Sequence, residues 1–459
     1  PGKCLPFPSA MNELLIEPFG APIAIQAQVP GSKSISNRAL ILAYLTDKPI
    51  GLLNLLRSQD TDVLREAFNK LGVSASEADD GTVTVNGCAG RPPHTEADLY
   101  VANAGTVARF LPAALSLLPS GDFRMDGSEA MHKRPMAGLL ECLKTLGSRV
   151  DCTVKDGFFP FRLRPSGWQP DTLTVDASRS SQILSGLLIA STRAERPMRL
   201  RLEGETVSKP FVEMTIRMME QFGAKIDRDG CEYRITPGLS GPADGLYTIE
   251  PDASAASYFF ALPLAVGGRS TVGAFPAQSL QGDLAFVDVL ERMGLTKTTT
   301  AGAITIEASG PIQSVDIDFN AFSDTFLTLA ALAPLLPGTT RIRGIGHTRH
   351  QETDRIHAMA TELRKLGQGI EETENSLTIT PNRAEMVART ASSPTAIDTY
   401  DDHRVAMSFG ILGSHNLHGD GRPWLTIRNP ECCGKTFPKF FEELARLRSS
   451  ANAETTTHE

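Results

Sequence analysis

The chain has 459 residues, of which 41% are hydrophobic and 21% are charged, so a wholly disordered or fibrous protein is excluded. Its 45 Lys and Arg residues against 53 Asp and Glu give a net charge of −8, which argues against a nucleic-acid coat or a basic membrane-surface protein. No apolar stretch reaches the roughly 18 residues that a membrane helix needs, and residues 1–10 lack the apolar core of a signal peptide. We therefore expect a cytoplasmic protein with no nucleic-acid or membrane partner.

One type of helix closes on a glycine and recurs along the chain, at 65–73, 139–150, 216–226, 286–295 and 359–370. The closing residues are Gly72, Gly147, Gly223, Gly294 and Gly367, separated by 75, 76, 71 and 73 residues. Each stands where a helix end needs a residue in the left-handed conformation. A sixth helix, at 437–447, lacks the glycine.

A second type of helix alternates with the first and is apolar on nearly every side, at 36–45, 104–118, 180–191, 252–266, 324–336 and 402–412. Helices of this kind are buried. Between the two types lie alternating segments that favour strands, at 82–85, 172–175, 247–250, 303–306 and 376–379. Six unrelated α/β units are the alternative, but the regular spacing favours six repeats of one unit, each with an inner and an outer helix.

Polar and charged residues gather at the starts of the inner helices, where free N–H groups and the helix dipole favour an anion. Capping explains each Ser, Asn or Asp taken singly, but it does not explain the cations. We place Lys33 and Arg38 in the first turn of the first inner helix, and Arg404 at the start of the sixth. The flanking cations are Arg134, Arg355 and Lys435. Each flanking cation taken alone is interpreted as a surface charge. Together, the cations indicate a pocket for a small, multiply anionic substrate.

Two acidic clusters, at 60–62 and 401–403, raise the question of a metal. Carboxylates beside arginine are more often ion-pair partners, so we predict no metal site. His403, between Asp402 and Arg404, is either a structural histidine or a donor in the site. The seven cysteines are scattered without a CxxC spacing, which favours free thiols in a reducing compartment.

Eight motifs, in family order, make the chain resemble the EPSP synthase family, the 3-phosphoshikimate 1-carboxyvinyltransferases, from about residue 14 to residue 447. The motifs are PGSKSISNRAL (30–40), NAGTVARF (103–110), KRPM (133–136), SSQ (180–182), VSKPF (207–211), ETDR (352–355), DDHR (401–404) and GKTFPKFF (434–441). The resemblance implies an α/β fold of two similar domains, each with three βαβαββ units and buried inner helices, known as the enolpyruvyl transferase fold or inside-out α/β barrel. We expect one domain at 1–30 plus 251–459, the other at 31–250, and the active site in the cleft between them. Composition predicts tails at 1–10 and 449–459, the latter disordered.

The resemblance also implies the reaction: transfer of the enolpyruvyl group of phosphoenolpyruvate to the 5-hydroxyl of shikimate 3-phosphate, giving EPSP and phosphate. This addition and elimination belongs to the shikimate pathway to aromatic amino acids, which glyphosate inhibits. It requires no metal, redox group or covalent nucleophile, so we expect no cofactor. We expect a monomer whose partners are these two small anions.

The family's functional residues carry over onto this chain motif by motif. For shikimate 3-phosphate the resemblance implies Lys33, Ser34, Arg38, Ser180, Ser181, Gln182, Ser208, Asp324, His347 and Gln351. For phosphoenolpyruvate it implies Lys33, Asn103, Gly105, Thr106, Arg134, Gln182, Arg355, His403, Arg404 and Lys435. As catalytic groups it implies Asp324 as base at the 5-hydroxyl, with Glu352 and Lys33 moving the proton at the methylene carbon.

Four positions depart from the commonest family pattern. Phe110 stands where many members have proline, and Phe211 replaces a tyrosine whose hydroxyl reaches the shikimate. His347 and Gln351 take the places of asparagine and lysine. Two rival functions remain: the related transferase acting on UDP-N-acetylglucosamine, which differs from Lys33-Ser34 in its opening motif, and a non-catalytic anion-binding protein of the same fold.

Overall fold

The computed structural model describes residues 13–20, 22–176, 180–204 and 209–456, and within these ranges no helix has the length and apolar character of a membrane span. The strands are β1 Glu13–Ile16, β2 Ile23–Ala27, β3 Pro49–Leu53, β4 Ala75–Glu77, β5 Val83–Asn86, β6 Glu96–Tyr100, β7 Asp122–Asp126, β8 Arg149–Cys152, β9 Phe161–Arg164, β10 Thr172–Asp176, β11 Met198–Glu203, β12 Lys225–Asp229, β13 Glu232–Thr236, β14 Leu246–Thr248, β15 Gly268–Val272, β16 Thr296–Thr300, β17 Ala303–Ala308, β18 Asp316–Asp318, β19 Thr340–Arg343, β20 Gly369–Glu372, β21 Ser376–Thr380, β22 Thr395–Ile397 and β23 Leu425–Arg428.

The α-helices are α1 Lys33–Leu45, α2 Gln59–Lys70, α3 Val107–Leu115, α4 Glu129–His132, α5 Ala137–Thr145, α6 Ser181–Ser191, α7 Lys209–Gln221, α8 Ala253–Val266, α9 Phe286–Arg292, α10 Phe326–Leu332, α11 Arg355–Lys365, α12 Arg383–Arg389, α13 His403–Gly413 and α14 Phe440–Thr456. Short 3₁₀ turns occur at Gly282–Ala285, Ser323–Thr325, Ala333–Leu335, Gly346–His350 and Pro430–Lys435.

The strands form six small sheets that repeat one topology. Five have four strands, in the orders β14-β3-β5-β4, β6-β7-β9-β8, β10-β11-β13-β12, β16-β17-β15-β2 and β18-β19-β21-β20, and the sixth is β1-β23-β22. In the second sheet, β6 and β7 are parallel and β9 and β8 follow as an antiparallel pair. With α3 and α5 between its strands, this sheet is a βαβαββ unit, so the predicted α/β class is confirmed.

Two sheets take a strand from elsewhere in the chain. Strand β14 pairs in parallel with β3, and β2 pairs in parallel with β15. The sheets thus form two groups: three sheets built from β3–β14, and three built from β1, β2 and β15–β23. The chain passes between the two groups of sheets twice, once after β2 and once after β14. The two passages touch at an antiparallel bridge between Gly31 and Pro251.

The inner helices lie in two separate hydrophobic cores. One core uses residues between Ile35 and Ile249 together with Leu280, and the other uses residues 16–27 and 253–451. Helix α3 packs against α6 in the first core, and α10 packs against α13 in the second. The predicted domain boundaries near residues 30 and 250 stay a prediction, which these two cores support.

The outer helices end as the glycine spacing predicts. The five closing glycines have φ values of +79°, +111°, +85°, +104° and +78° in chain order. At Gly294 an added Cβ would lie 2.4 Å from the carbonyl oxygen of Pro311, so a larger residue is excluded by contact as well as by conformation.

Three sequence-based expectations about the helices were wrong. Helix α1 begins at Lys33, three residues earlier than expected, because Ser32 caps it, and Arg38 consequently lies in the second turn. The fifth inner helix is divided, since 3₁₀ turns flank α10 on both sides. The tail at 449–459 is helical as far as Thr456, because the apolar stripe of α14 continues to the buried residue Ala451. Residues 1–10 and 457–459 lie outside the described ranges.

Candidate active site

A cavity of about 880 Å³ lies between the two groups of sheets. The starts of α1, α3 and α6 line it from one core, and residues between 320 and 404 line it from the other. It brings together fourteen of the predicted site residues: Lys33, Ser34, Arg38, Thr106, Arg134, Ser180, Ser181, Gln182, Asp324, His347, Gln351, Glu352, Arg355 and Arg404. Inner helices from both cores thus begin at one cavity.

Lys33 is held by its backbone, which leaves its side chain free. Its N–H donates to Asp252 Oδ2 at 2.9 Å, while Oδ1 of the same carboxylate caps α8 by accepting from the Ala255 N–H at 2.8 Å. The ammonium makes no hydrogen bond or ion pair with any residue of the described ranges. Burial lowers the pKa of Lys33 and outweighs the nearby Asp60 and Glu352 carboxylates.

Arg355 is the centre of an ion-pair network, and all five of its N–H groups are occupied. Nε donates to Asp402 Oδ2 and Nη1 to Asp324 Oδ1, both at 2.8 Å. Nη1 also donates to Gln351, while Nη2 donates to Glu352 Oε2 at 2.9 Å and to Asp402 Oδ1 at 3.4 Å. A substrate can therefore reach Arg355 only by replacing one of these acceptors.

Asp324 bridges two arginines. Its second oxygen, Oδ2, accepts from Arg404 Nη2 at 2.8 Å. Burial alone would raise the pKa of Asp324, but Arg404 and Arg355 hold it below its ordinary value, so the carboxylate is ionised at neutral pH. It caps no helix: the capping interpretation, which holds for Ser180 and Asp402, fails here.

Glu352, Lys435 and Asn103 close one wall of the cavity. Lys435 Nζ donates to Glu352 Oε1 at 2.9 Å and to the carbonyl oxygen of Asn103, 332 residues away in the chain, at 3.3 Å. Lys435 and Arg355 outweigh burial and hold the pKa of Glu352 well below its ordinary value. Asn103 also accepts from Arg134 Nη1, with both bonds at a long 3.4 Å. Arg134 is therefore weakly held and available to an anion.

Gly105 lies directly against the Arg134 guanidinium. A Cβ added at Gly105 would stand 2.6 Å from Nη2 of Arg134, closer than non-bonded atoms approach. Gly105, Asn103 and Lys435 do not line this cavity, although Asn103 lines an adjoining cavity of about 700 Å³ beside Arg134 and Glu352, and the contacts of all three with the substrate stay a prediction.

The side of the cavity at the start of α1 contains Arg38 between two of the departures from the family pattern. Arg38 donates to Thr215 Oγ1 at 2.8 Å, to the Ser34 carbonyl at 2.9 Å and to the Phe211 carbonyl at 3.2 Å. Its guanidinium carbon lies 5.3 Å from the ring centre of Phe110 and 6.0 Å from that of Phe211. Burial lowers the pKa of Arg38 to about 9. The two phenylalanines thus pack around this cation.

The other predicted shikimate contacts make local hydrogen bonds. Ser180 Oγ accepts from the Gln182 N–H at 3.3 Å, and Gln182 Nε2 donates to Thr106 Oγ1 at 3.5 Å. His347 Nε2 lies 2.8 Å from Ser323 Oγ, and burial lowers the pKa of this histidine. Ser208 falls outside the described ranges.

His403 is fully buried and does not line the cavity. Neither ring nitrogen has a hydrogen-bond partner among the described residues. Burial and the adjacent Arg404 hold the pKa of His403 well below its ordinary value, so the ring is neutral. Its predicted contact with phosphoenolpyruvate would require a movement of the wall.

One carboxylate in each acidic cluster is an ion-pair partner of arginine. Asp402 pairs with Arg355, and Asp62 lies 3.4 Å from Arg57 and 3.7 Å from Arg65. Across the described ranges, His, Cys, Asp and Glu form no group of three or more with the arrangement of a metal site.

Three residues that surround the site were not among the predicted site residues, and Asp60 was predicted only as part of an acidic cluster of ion-pair partners. Asp60 is buried, its Oδ1 has no hydrogen-bond partner among the described residues, and burial raises its pKa against the opposing charges of Lys435 and Lys33. Arg109 donates to the Gly105 carbonyl at 2.8 Å and holds that loop. Asp252 holds Lys33. Asp60 and Asp252 each lie at or next to a helix start, the one signal that pointed to them.

The family comparison agrees with this geometry. Residues 20–444 match the family model described as EPSP synthase (3-phosphoshikimate 1-carboxyvinyltransferase). The chain belongs to the EPSP synthase family. A 3-phosphoshikimate 1-carboxyvinyltransferase of Opitutus terrae is 44% identical over 447 residues, covering 96% of this chain and 99% of that protein. One from Vibrio cholerae is 39% identical over 441 residues, covering 95% and 100%.

Solved structures of family members and relatives have the same fold. EPSP synthase from Acinetobacter baumannii matches with a TM-score of 0.76 at 24% identity, over 95% of this chain and 98% of that one. The enolpyruvyl transferase NikO from Streptomyces tendae matches with a TM-score of 0.72 at 20% identity, over 95% and 97%. The predicted enolpyruvyl transferase fold is therefore confirmed.

Proposed function

We propose that this protein transfers the enolpyruvyl group of phosphoenolpyruvate to the 5-hydroxyl of shikimate 3-phosphate, releasing EPSP and phosphate. The observation that carries the proposal is one cavity in which Lys33, Arg134 and Arg404 keep unused donors beside the ionised carboxylates of Asp324 and Glu352. Anionic substrates need the donors, and an addition followed by an elimination needs groups that move protons.

Phosphoenolpyruvate is bound, in this proposal, by the cations with free hydrogen-bonding capacity. Arg134 has only two long contacts, and Arg404 Nε has no partner among the described residues. Lys33 and Lys435 complete a ring of positive charge that suits a phosphate and a carboxylate. Arg355 chiefly holds the carboxylates, and it reaches the substrate by exchanging the neutral oxygen of Gln351 for a substrate oxygen.

Shikimate 3-phosphate occupies the opposite side, beside the starts of α1 and α6. Ser34, Ser180 and Ser181 have short polar side chains there, and Gln182 reaches toward Thr106. Arg38 also lies on this side, but its guanidinium donates to protein acceptors. Phe211 has no hydroxyl, so the hydrogen bond to shikimate that the family's tyrosine makes is absent from this proposal. His347 and Gln351 retain groups that can form hydrogen bonds.

In this proposal the proton transfers are divided among Lys33, Asp324 and Glu352, which line the same cavity. Burial lowers the pKa of Lys33 and makes it a stronger acid than an ordinary lysine, so it protonates the methylene carbon in the addition. Asp324 is ionised and accepts the proton of the 5-hydroxyl. Glu352, ionised beside Lys435, takes the methyl proton back in the elimination, when the C–O bond to phosphate breaks and the double bond reforms. The hydroxyl proton held by Asp324 passes to the leaving phosphate, and the proton on Glu352 returns to Lys33, which restores all three groups.

Incubation with phosphoenolpyruvate and each acceptor tests the proposal. We expect phosphate release with shikimate 3-phosphate and none with UDP-N-acetylglucosamine. Release only with the second acceptor would establish the rival transferase, and no release with either would establish an anion-binding protein. We also propose that the protein is a monomer, which light scattering tests, and that it is cytoplasmic, which its location in the source cell tests.

A further inference from the structure

A short turn before α13 has a backbone conformation that its residues do not favour. Tyr400 and Asp401 have φ values of +56° and +57°, in the left-handed region that residues with a Cβ rarely adopt. Asn429, itself at +51°, donates from its side-chain amide to Asp401 Oδ1 at 3.1 Å. Two consecutive left-handed residues without a glycine persist only where surrounding contacts hold them.

The turn leads directly into the ion-pair network of the site. The next residue, Asp402, is fully buried, and its backbone N–H donates to the Thr399 carbonyl at 2.8 Å across the turn. Its carboxylate accepts from Arg355 Nε at 2.8 Å and from the backbone N–H of Arg404 at 2.9 Å. The conformation of the turn therefore sets where the carboxylate meets both arginines.

Helix α11 holds this turn at two points along one face. Arg355 begins the helix, and Glu362 lies seven residues further, two turns along on the same side. Glu362 is fully buried; its Oε1 accepts from the Tyr400 hydroxyl at 2.6 Å and its Oε2 from the Asp398 N–H at 3.1 Å. One helix face thus binds the beginning of the turn through Glu362 and its end through Arg355.

We infer that Glu362 and Tyr400 are positioning residues for the reaction. Their hydrogen bond keeps the turn left-handed, the turn fixes Asp402, and Asp402 orients Arg355 toward the cavity. Neither Glu362 nor Tyr400 lines the cavity, so both act through other residues. The inference rests on the proposed function, because it concerns the orientation of groups in that same site.

Removal of one hydroxyl tests the inference. Tyr400→Phe deletes the donor to Glu362 and keeps a ring that is 38% exposed. The matched control is Tyr247→Phe, which deletes a hydroxyl that donates to Gln221 Oε1 at 2.7 Å, in the other core. We expect kcat/KM for phosphoenolpyruvate to fall about tenfold in the first variant, since small misplacements of binding groups have effects of this size. The control should keep the wild-type value, with a similar change in Tm.

A rescue separates positioning from a general loss of stability. Asp401→Gly in the Tyr400→Phe background deletes the acceptor of the Asn429 amide but places a residue that adopts the left-handed conformation without support, so it should restore most of the lost kcat/KM. The inference is overturned if Tyr400→Phe matches the wild type, if the control loses as much, or if the glycine restores nothing. A wild type without turnover would instead refute the proposed function, and calorimetric binding of phosphoenolpyruvate would then carry the same comparison among the variants.

Discussion

Replacement of Lys33 by methionine is expected to remove activity while leaving the fold intact. The ammonium makes no hydrogen bond or ion pair within the described part of the chain, and burial outweighs the attraction of Asp60 and Glu352, so that the pKa of Lys33 is lowered. Methionine preserves the length of the side chain and its apolar stem. We therefore expect the free energy of unfolding to change by less than about 1 kcal/mol, in either direction.

The expected effect on turnover is much larger. A positioned general acid contributes about 10²–10⁴ in rate, which corresponds to roughly 3–5 kcal/mol in the activation barrier. Arg38→Met provides the contrast. That guanidinium makes three hydrogen bonds, at 2.8, 2.9 and 3.2 Å, from a buried position, so its loss should destabilise the fold by about 3 kcal/mol.

Both variants are compared by phosphate release from phosphoenolpyruvate and shikimate 3-phosphate, and by thermal unfolding. Lys33→Met should melt near the wild-type temperature with kcat reduced at least about a hundredfold. Arg38→Met should melt several degrees lower. The reasoning is refuted if Lys33→Met keeps its turnover, which would exclude the lysine as the acid, or if it melts as low as Arg38→Met, which would mean that the lysine serves packing.

Three other outcomes follow from the same geometry. Gly105→Ala should raise the KM for phosphoenolpyruvate and leave that for shikimate 3-phosphate nearly unchanged, because the new Cβ displaces Arg134; equal rises in steady-state assays would contradict this. Burial raises the pKa of Asp283 to about 7, so the folded protein binds a proton that the unfolded chain releases. Stability should therefore fall as pH rises from about 4 to 7, and denaturant titrations of Asp283→Asn should lack this slope. A substrate anion beside the guanidinium groups that hold Asp324 offsets their positive charge and raises the pKa of this carboxylate, so the acid limb should lie at higher pH for kcat than for kcat/KM; coincident limbs would count against Asp324 as base.

Periodicity predicted the fold well because each repeat is built from short-range signals. A left-handed glycine, a helix apolar on all sides and an alternating strand can each be read within about fifteen residues. Two of the errors concern local helix starts and ends, whereas the third occurred where a contact from outside the repeat decides the structure. Helix α14 continues past Leu447 because Ala451 finds a place in the second core, which composition alone does not reveal.

The ion-pair network was beyond sequence reasoning for the same cause. Arg355 and Asp402 lie 47 residues apart, Glu352 and Lys435 lie 83 apart, and Lys435 and Asn103 lie 332 apart. Motif order identified the arginines, but it did not indicate that Arg355 is fully occupied by the protein. Nor did it indicate that Asp60 lies beside the lysines, because nothing in the surrounding sequence specifies that neighbour.

The carboxylates around the arginines explain how cations are tolerated at helix starts. A helix N-terminus disfavours positive charge, and Arg404 stands in the first turn of α13. Asp324 and Asp402 supply the compensating negative charge, each shared with Arg355. An arriving substrate anion shares these guanidinium groups with Asp324 and offsets their positive charge. In the proposed mechanism, binding therefore raises the pKa of Asp324, so that this carboxylate is a stronger base once the hydroxyl and the acceptor carbon are both in place.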